Sequence, residues 1–406
     1  MYCAVVPVLI VLVSLYAVNE YCIAKLDEWY PSSGVWHLYN NKVKDQGLAL
    51  QNLSIKNNHI LVLGSSELNT NPNVHVLTDP TKFFPNQKVT REVDIIGYAG
   101  CDGLITAIRL GALTDVEKVP VIYNSSMTWF IGDEYYKAGI QRNISELQYY
   151  AFMDNPRVSD NLKHYISKEI AYETKSVGLF NELYFYSWIN ASDSITHKLL
   201  KGIFTPYFVI RKGFLILRDN LKAFKLVKKY KGKYSYPVHE IDWNHGEEIY
   251  TNQARKFSVT TKDAGNVYKW YYDNIIKKPQ WDTFKNKFAK DDFVHSKEFL
   301  YHKMIMDVSR DIGLKPYTLM CSVNGYAYDY YGMGLQKRIA FYQKMENMQN
   351  DYGYPYLNTQ FLEYMPYAFR DDAHFTSKGW FLINREITNY LSCLLYTSQS
   401  PRDRSV

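Results

Sequence analysis

The stretch from Ile60 to Leu68 reads ILVLGSSEL and joins an apolar run to a glycine and two serines. A short apolar run of this kind is typical of a strand buried on both faces of a parallel sheet. A serine behind a glycine at the carboxyl end of such a strand is where hydrolases present a nucleophile, because the turn exposes the hydroxyl beside backbone N–H groups. An ordinary turn has the same composition. The stretch therefore predicts a parallel sheet and a candidate nucleophilic serine.

Three further apolar runs predict additional buried strands, and helical spacing of apolar residues follows two of them. The runs are Val93–Ile96 (VDII), Val119–Tyr123 (VPVIY) and Tyr317–Cys321 (YTLMC). The helical patterns are Leu104, Ile105, Ile108 and Ala112, and then Leu335, Ile339, Tyr342 and Met345. Strand–helix alternation indicates an α/β domain, whose ligands bind beyond the carboxyl ends of the strands. The alternation stops between about residues 135 and 315, which predicts a large inserted mixed region.

Composition excludes several classes of protein. With 406 residues, 47% hydrophobic and 22% charged, the chain is neither disordered nor a small disulfide scaffold nor a polytopic membrane protein. The net charge of +6 is low for a dedicated nucleic-acid binder. The segment from Lys198 to Lys290, however, contains 20 Lys and Arg but only 8 Asp and Glu. This basic segment, with apolar runs such as Gly202–Ile210, fits an anionic membrane, an anionic polymer or simply a solvated lysine-rich face.

The two ends of the chain differ from the rest. Residues 1–18 carry no charge, and as a helix they would span about 27 Å, so they predict an uncleaved transmembrane anchor, with a buried helix as the alternative. Residues 394–406 (LLYTSQSPRDRSV) follow no packing pattern and are interpreted as a non-native tail. Residues 19–393 would then form one domain. The five cysteines are scattered without zinc spacing, which indicates unpaired thiols.

A histidine and an aspartate could activate the serine. Serine needs a neutral imidazole to take its proton, and a carboxylate orients that imidazole. The pattern D-x-x-H occurs at Asp242/His245, Asp292/His295 and Asp371/His374. The first pair lies in a polar stretch, residues 239–248, that could bind a metal or form a surface loop. Only the third immediately precedes a helical pattern, so the sequence favours Asp371 and His374.

Two other segments should lie at the same edge of the sheet. Gly97–Gly103 (GYAGCDG) follows the second predicted strand, and its glycines could direct a backbone N–H towards an oxyanion or form a plain tight turn. Ser125–Phe130 follows the third predicted strand, where the Thr128 hydroxyl could be a further oxyanion donor.

These pieces, in this order, resemble the SGNH (GDSL-like) hydrolase superfamily and, more closely, the DltD family of teichoic acid D-alanylation. The blocks that carry the resemblance are Val62–Leu68, Gly97–Leu104, Ser126–Phe130, Val323–Gly332 (VNGYAYDYYG) and Tyr364–Trp380 (YMPYAFRDDAHFTSKGW). The resemblance implies a three-layer α/β/α fold with a central parallel sheet.

The resemblance also implies a role for each site residue. It makes Ser66 the nucleophile, His374 the base and Asp371 its orienting carboxylate. The oxyanion donors would be the N–H groups of Ser66 and Gly100, while Thr128 stands where the superfamily usually has Asn or Gln. Ser65 stands where many SGNH enzymes have Asp.

The function implied by the resemblance is acyl transfer outside the cytoplasm, by a protein held in the cell membrane by a single span. It would bring a D-alanyl group to a teichoic acid, with a membrane O-acyltransferase and, directly or indirectly, the D-alanyl carrier protein as partners. This chemistry requires no metal or organic cofactor, and no nucleic acid is expected. Two rival hypotheses are an O-acyl esterase acting on cell-wall polysaccharide and a non-catalytic scaffold that binds carrier protein or polymer.

Overall fold

A parallel sheet lies at the centre of the molecule. The computed structural model describes residues 2–38, 40–68, 91–131, 139–140, 142–177, 181–234 and 242–398. Within these ranges, five strands form the sheet in the order β2-β1-β3-β6-β7, and every neighbouring pair is parallel. The strands are β1 (Ile60–Gly64), β2 (Val93–Gly97), β3 (Val121–Ser126), β6 (Tyr317–Cys321) and β7 (Tyr356–Asn358). A separate antiparallel hairpin consists of β4 (Ser258–Thr261) and β5 (Gly265–Tyr268).

Helices cover both faces of the sheet and fill the connections between strands. They are α1 (Tyr2–Trp29), α2 (Lys42–Gln46), α3 (Ala49–Lys56), α4 (Gly103–Ala112), α5 (Glu146–Asp154), α6 (Asp160–Thr174), α7 (Glu182–Asn190), α8 (Ile195–Tyr230), α9 (Gly246–Phe257), α10 (Glu298–Asp311), α11 (Gly325–Tyr330), α12 (Leu335–Tyr352) and α13 (Ser377–Ser398). The predicted α/β class is confirmed, and so are the four predicted strands. The third begins at Val121 rather than Val119, directly after Pro120, which has no N–H to donate to a neighbouring strand.

Alternate strand residues divide the core into two layers. Leu61 and Leu63 of β1 point to one face, where they pack with α4 and α10. Ile60 and Val62 point to the other face, where they pack with α13 around Trp380. The period of two along a strand thus gives β1 two apolar faces, as a sheet covered on both sides requires. The expected three-layer α/β/α arrangement is present.

The region between residues 135 and 315 is mostly helical where it is described, and part of it belongs to the main layers. Helices α5 and α10 pack on α4 in the same core cluster, and the Glu298 carboxylate accepts a hydrogen bond from the Gly103 N–H at 2.8 Å. Helix α8 lies beside α1, whereas α9 packs on α13, and Val267 of the β4–β5 hairpin is buried in one cluster with Met320 of β6. The sequence pattern does not extend to this region because its elements pack on distant parts of the chain rather than in strand–helix units.

The N-terminal helix extends beyond the predicted segment 1–18 and ends at Trp29. From Leu9 to Ser32 the chain is helical, long enough and apolar enough to cross a membrane. Large apolar side chains between Val6 and Val18 are exposed, whereas Leu26 is buried against α3 and α8. Cys22, Cys101 and Cys321 are buried free thiols, as expected, while the side chains of Cys3 and Cys393 lie outside the described part. Of the segment 394–406, residues 394–398 continue α13, and 399–406 lie outside the described residues.

Candidate active site

Ser66 begins a short turn at the carboxyl end of β1. Gly64 permits this turn, since a Cβ atom there would lie 2.8 Å from Glu67 Oε1 and 3.0 Å from the Asn124 side chain. The buried Glu67 carboxylate accepts a hydrogen bond from the Ser65 N–H at 2.7 Å, and burial raises the pKa of Glu67. The turn therefore holds Ser66 at the edge of the sheet where the resemblance places a nucleophile.

The loop that carries Asp371 and His374 is fixed by its own backbone and by Asn324. Asp371 Oδ1 accepts hydrogen bonds from the N–H groups of Ala373 (2.9 Å) and His374 (2.7 Å). Asn324, just after β6, donates its backbone N–H to the Asp372 carbonyl at 2.9 Å and its side-chain amide to the Asp371 carbonyl at 3.3 Å. These bonds attach the loop to the carboxyl edge of the sheet.

Helix α13 begins immediately after this loop, as predicted. The Thr376 hydroxyl accepts a hydrogen bond from the Gly379 N–H at 3.3 Å, so Thr376 caps the helix. Gly379 has no space for a side chain, because a Cβ atom would lie 2.5 Å from the Ala368 carbonyl oxygen. The close approach of the helix start to residue 368 keeps His374 in place.

Asp371, His374 and Ser66 form a continuous chain of polar contacts. Both carboxylate oxygens of Asp371 lie 3.0 Å from His374 Nδ1, and His374 Nε2 lies 3.3 Å from Ser66 Oγ. In the neutral imidazole this geometry assigns the proton to Nδ1, which leaves Nε2 as the acceptor for the serine hydroxyl. The arrangement can thus take a proton from Ser66.

Charge interactions in this chain shift two pKa values in opposite directions. Burial disfavours the charged form of each group, yet the Asp371 charge and hydrogen bond raise the pKa of His374 above its ordinary value. Burial alone would raise the pKa of Asp371. The charge and hydrogen bond of His374 and the charge of Arg370 outweigh this effect and lower the pKa. Asp371 is therefore a carboxylate that stabilises the imidazolium.

Gly100, an expected oxyanion donor, has its N–H engaged elsewhere. It adopts a φ of 93°, which favours glycine, and its N–H donates to Ser65 Oγ at 3.1 Å. The Ser65 hydroxyl in turn donates to the Tyr98 carbonyl at 3.3 Å. Ser65 thus connects the Ser66 turn to the glycine-rich loop after β2. The Gly100 N–H would need to exchange this bond to bind an oxyanion, and its role stays a prediction.

Thr128, the other expected donor, lies in the turn Met127–Phe130 that follows β3. Its hydroxyl lies 2.9 Å from the Ser126 hydroxyl, and both residues line the same cavity as Ser66 and His374. A hydroxyl that lines this cavity could donate to an oxygen atom bound there, and the role of Thr128 as an oxyanion donor stays a prediction.

A cavity of about 300 Å³ adjoins the Ser66–His374 pair. Its lining residues are Ser66, Glu67, Ser126, Thr128, Trp129, Ile131, Phe284, Lys287, Phe288, Tyr328, Tyr331, Asp372, Ala373 and His374. Sequence reasoning did not single out the residues that the inserted region contributes, Phe284, Lys287 and Phe288. Tyr328 and Tyr331 lie in Val323–Gly332, one of the segments that resemble the DltD family. That resemblance was the only indication in the sequence that these two tyrosines belong to the site.

The other two D-x-x-H pairs have the same aspartate–histidine contact but are exposed to solvent. Asp242 Oδ2 lies 2.7 Å from His245 Nδ1, and Asp292 Oδ2 lies 2.6 Å from His295 Nδ1. Both histidines are about three-quarters exposed, at 74% and 79%, compared with 26% for His374. Among the described residues, no group of three or more His, Cys, Asp or Glu could hold a metal ion. His239 and Glu240 of the polar stretch 239–248 lie outside the described residues.

The fold and the site together define an α/β protein with a parallel sheet and a Ser–His–Asp chain at its carboxyl edge. The model of the DltD family, described as "DltD protein", matches residues 36–392, and the chain belongs to this family. Two curated relatives have the printed name "Protein DltD". The one from Bacillus subtilis (strain 168) is 23% identical over 353 residues, which cover 85% of this chain and 86% of the relative. The one from Staphylococcus aureus (strain NCTC 8325 / PS 47) is 21% identical over 340 residues, covering 82% and 81%.

Proposed function

We propose that this protein is a membrane-anchored acyl-transfer enzyme in the D-alanylation of teichoic acids, with Ser66 as nucleophile. Membership of the DltD family supports the pathway. The observation that supports an enzymatic role is the distance of 3.3 Å between Ser66 Oγ and His374 Nε2, beside a cavity large enough for a small acyl group. A scaffold would have no need of this geometry.

In the first step, Ser66 Oγ attacks the carbonyl carbon of a D-alanyl ester or thioester while His374 Nε2 takes the hydroxyl proton. The negative oxygen of the tetrahedral intermediate is stabilised by the Ser66 N–H and by Thr128. Asp371 stabilises the imidazolium, which then gives its proton to the leaving oxygen or sulfur. The products are a D-alanyl ester of Ser66 and a free alcohol or thiol.

In the second step, a hydroxyl of the teichoic acid attacks the D-alanyl–Ser66 ester. His374 takes the proton of this hydroxyl and returns it to Ser66 Oγ, so that the ester moves to the polymer and the serine is regenerated. The acceptor is a phosphodiester polymer, and Lys287 is a cationic side chain among the residues that line the cavity. A membrane O-acyltransferase and the D-alanyl carrier protein would deliver the acyl group.

The α1 helix would anchor the domain with the cavity outside the cytoplasm. Its length and apolar composition are sufficient to cross the bilayer. Teichoic acid is an extracytoplasmic polymer, so this orientation places the cavity on the side of its acceptor.

The test combines labelling of the serine with a cellular assay. A fluorophosphonate probe should attach to Ser66 in the full-length protein, and mass spectrometry should find no adduct in Ser66→Ala, while the matched control Ser192→Ala, an exposed serine, keeps it. Cells that carry only Ser66→Ala should lose ester-linked D-alanine from their teichoic acid. An adduct on another serine, or unchanged D-alanylation, would refute the assignment. Rapid transfer to water with none to polymer would instead favour the esterase hypothesis.

A further inference from the structure

Two side chains of opposite charge line the cavity beside Ser66 and His374. Asp372 lies next to the catalytic loop, where its Oδ2 accepts a hydrogen bond from the Tyr331 hydroxyl at 3.0 Å. Lys287 is an exposed residue at the cavity rim, and its Nζ lies 5.4 Å and 5.3 Å from the ring centroids of Phe284 and Phe288. The other lining carboxylate, Glu67, is buried and accepts the Ser65 N–H, whereas Asp372 is partly exposed to the ligand space.

The surroundings of Asp372 favour a bound cation. Burial and then the neighbouring Asp371 charge raise the pKa of Asp372 to about 6, which means that its negative charge is poorly compensated. A cation in contact with it would relieve that cost. Tyr328 and Tyr331 line the same space, and aromatic rings attract ammonium groups.

We propose that this cavity is a site for aminoacyl esters of phosphate-containing alcohols, in which Asp372 binds the α-ammonium group and Lys287 binds the phosphate. The proposal rests on the proposed function of Ser66. In an aminoacyl ester the ammonium is attached to the carbon next to the reacting carbonyl, so its partner must lie deep in the cavity beside the nucleophile. The phosphate lies on the alcohol side and further away, which corresponds to the rim. The pocket is thereby selective for D-alanyl over uncharged acyl groups.

The test compares charged and uncharged acyl groups in the full-length protein. The substrates are the p-nitrophenyl esters of D-alanine and of N-acetyl-D-alanine, and the quantity compared is the ratio of their kcat/KM values. In Asp372→Asn this ratio should fall roughly 10- to 100-fold, the loss expected for a hydrogen bond to a charged group. Asp291→Asn, an exposed carboxylate outside the cavity, is the matched control. An unchanged ratio in Asp372→Asn would overturn the proposal.

A binding measurement separates this proposal from the catalytic one. In Ser66→Ala, ligand-observed NMR should show D-alaninamide binding more tightly than N-acetyl-D-alaninamide, and Asp372→Asn should abolish the difference. If neither ester is hydrolysed but the binding difference is present, the catalytic role of Ser66 fails and the ammonium site stands. Equal binding of both amides would refute the ammonium site whatever the activity.

A second, independent feature is the exposed apolar face of α8. Six of its large side chains are 45 to 87% exposed and recur every three or four residues, so they form one stripe: Ile195, Leu199, Ile203, Tyr207, Ile210 and Phe214. The opposite side of the helix packs on α5 and α7 through the buried residues Phe208 and Leu215. An apolar stripe of this length on a soluble surface is costly unless something covers it.

The position of α8 relative to α1 indicates what covers the stripe. The two helices run side by side in the same direction, since Asn220 donates to Asn19 at 2.8 Å and Phe224 stacks on Trp29 at 5.5 Å. Further towards the start of both helices, Leu12 and Tyr16 form an apolar groove with Ile210 and Leu217. Ile210 and Phe214, the last two residues of the stripe, line this groove and are therefore level with the apolar part of the candidate membrane span.

We propose that this stripe of α8 faces the lipid of the bilayer alongside α1, with lipid as its partner. The lysines of the last turns of α8, such as Lys225 and Lys229, point to anionic headgroups as the adjoining surface. The domain would then be attached by a spanning helix and by an amphipathic helix beside it, which fixes the orientation of the cavity relative to the membrane.

The test uses the full-length protein in vesicles of phosphatidylglycerol and phosphatidylethanolamine. In a Cys3→Ser/Cys393→Ser background, Ile203→Cys is labelled with an environment-sensitive fluorophore, and Lys229→Cys is the control on the same helix. The fluorescence of the label at position 203 should shift to the blue and be quenched by brominated acyl chains. The fluorescence of the label at position 229 should instead be quenched by iodide dissolved in the water. A water-quenched label at 203, or one shielded from both quenchers by a second copy of the chain, would overturn the proposal.

Discussion

The Nε2 atom of His374 lies 3.3 Å from the Oγ atom of Ser66, although 308 residues separate them along the chain. The sheet explains how they meet. Ser66 follows β1, and the loop of His374 is attached to the end of β6 through Asn324. Both strands are parallel and both end at the same edge with only β3 between them, so the segments held at their ends lie on that edge of the sheet. The contact therefore depends on the order of strands and not on any local property of either segment.

The first prediction separates His374 from the other histidines of the D-x-x-H pattern. His374→Ala should lower acyl transfer by roughly 10²- to 10⁴-fold, since the general base is lost. His245→Ala, which removes an exposed histidine with the same local aspartate contact, should leave the rate unchanged. The measurement is hydrolysis of a D-alanyl ester by the purified protein. Equal effects of the two substitutions would exclude His374 as the base.

The second prediction concerns pH. The base must be neutral, and the pKa of His374 is raised above its ordinary value of 6.5, so the rate should rise with pH along a limb whose midpoint lies above 6.5. Asp371→Asn removes the charge that causes this increase and should move the midpoint to lower pH. It should also reduce the maximal rate by roughly 10³- to 10⁴-fold, because the amide no longer holds the required tautomer. A midpoint that stays in place in the variant would contradict this role of Asp371.

The third prediction tests Thr128 as an oxyanion donor. Thr128→Val keeps the shape of the side chain but removes its hydroxyl, and kcat should fall by roughly 10²- to 10³-fold with little change in KM. Thr128→Ser retains the hydroxyl and should recover most of the activity. Steady-state kinetics with a D-alanyl ester distinguish these outcomes. If Val and Ser at this position behave alike, the hydroxyl does not contact the oxyanion.

The fourth prediction concerns stability. Lys44 and Asp94 form an ion pair of 3.0 Å that is almost fully buried, and Lys44 also donates to the Ile95 carbonyl at 2.6 Å. Lys44→Met leaves Asp94 buried without its cation and should lower the free energy of unfolding by about 3–5 kcal/mol. The exposed pair Lys56–Asp27 is the matched comparison, and Lys56→Met should cost less than about 1 kcal/mol. Urea unfolding followed by tryptophan fluorescence measures both, and similar losses would contradict the argument.

Most of the sheet could be predicted because its strands are short, apolar and followed by glycine or helix. β7 was not predicted, since three half-buried residues at a sheet edge carry too little pattern. The helix at Glu298–Asp311 was assigned to the inserted region, although it packs on α4, because its packing partner is distant in the sequence. The wall of the cavity formed by Phe284 and Phe288 could not be predicted for the same reason.

Features that depend on residues close together in the chain could be read from the amino-acid sequence. It specified the apolar strands, the helix that begins after Thr376, and the contact between each aspartate and the histidine three residues later, which forms in all three D-x-x-H segments. Three features follow from the folded chain instead: which histidine meets a serine, which carboxylate lines the cavity, and that the Gly100 N–H donates to Ser65 Oγ. Short-range hydrogen bonds need a few adjacent residues, whereas a site assembled from distant segments exists only once the sheet has brought its strand ends together.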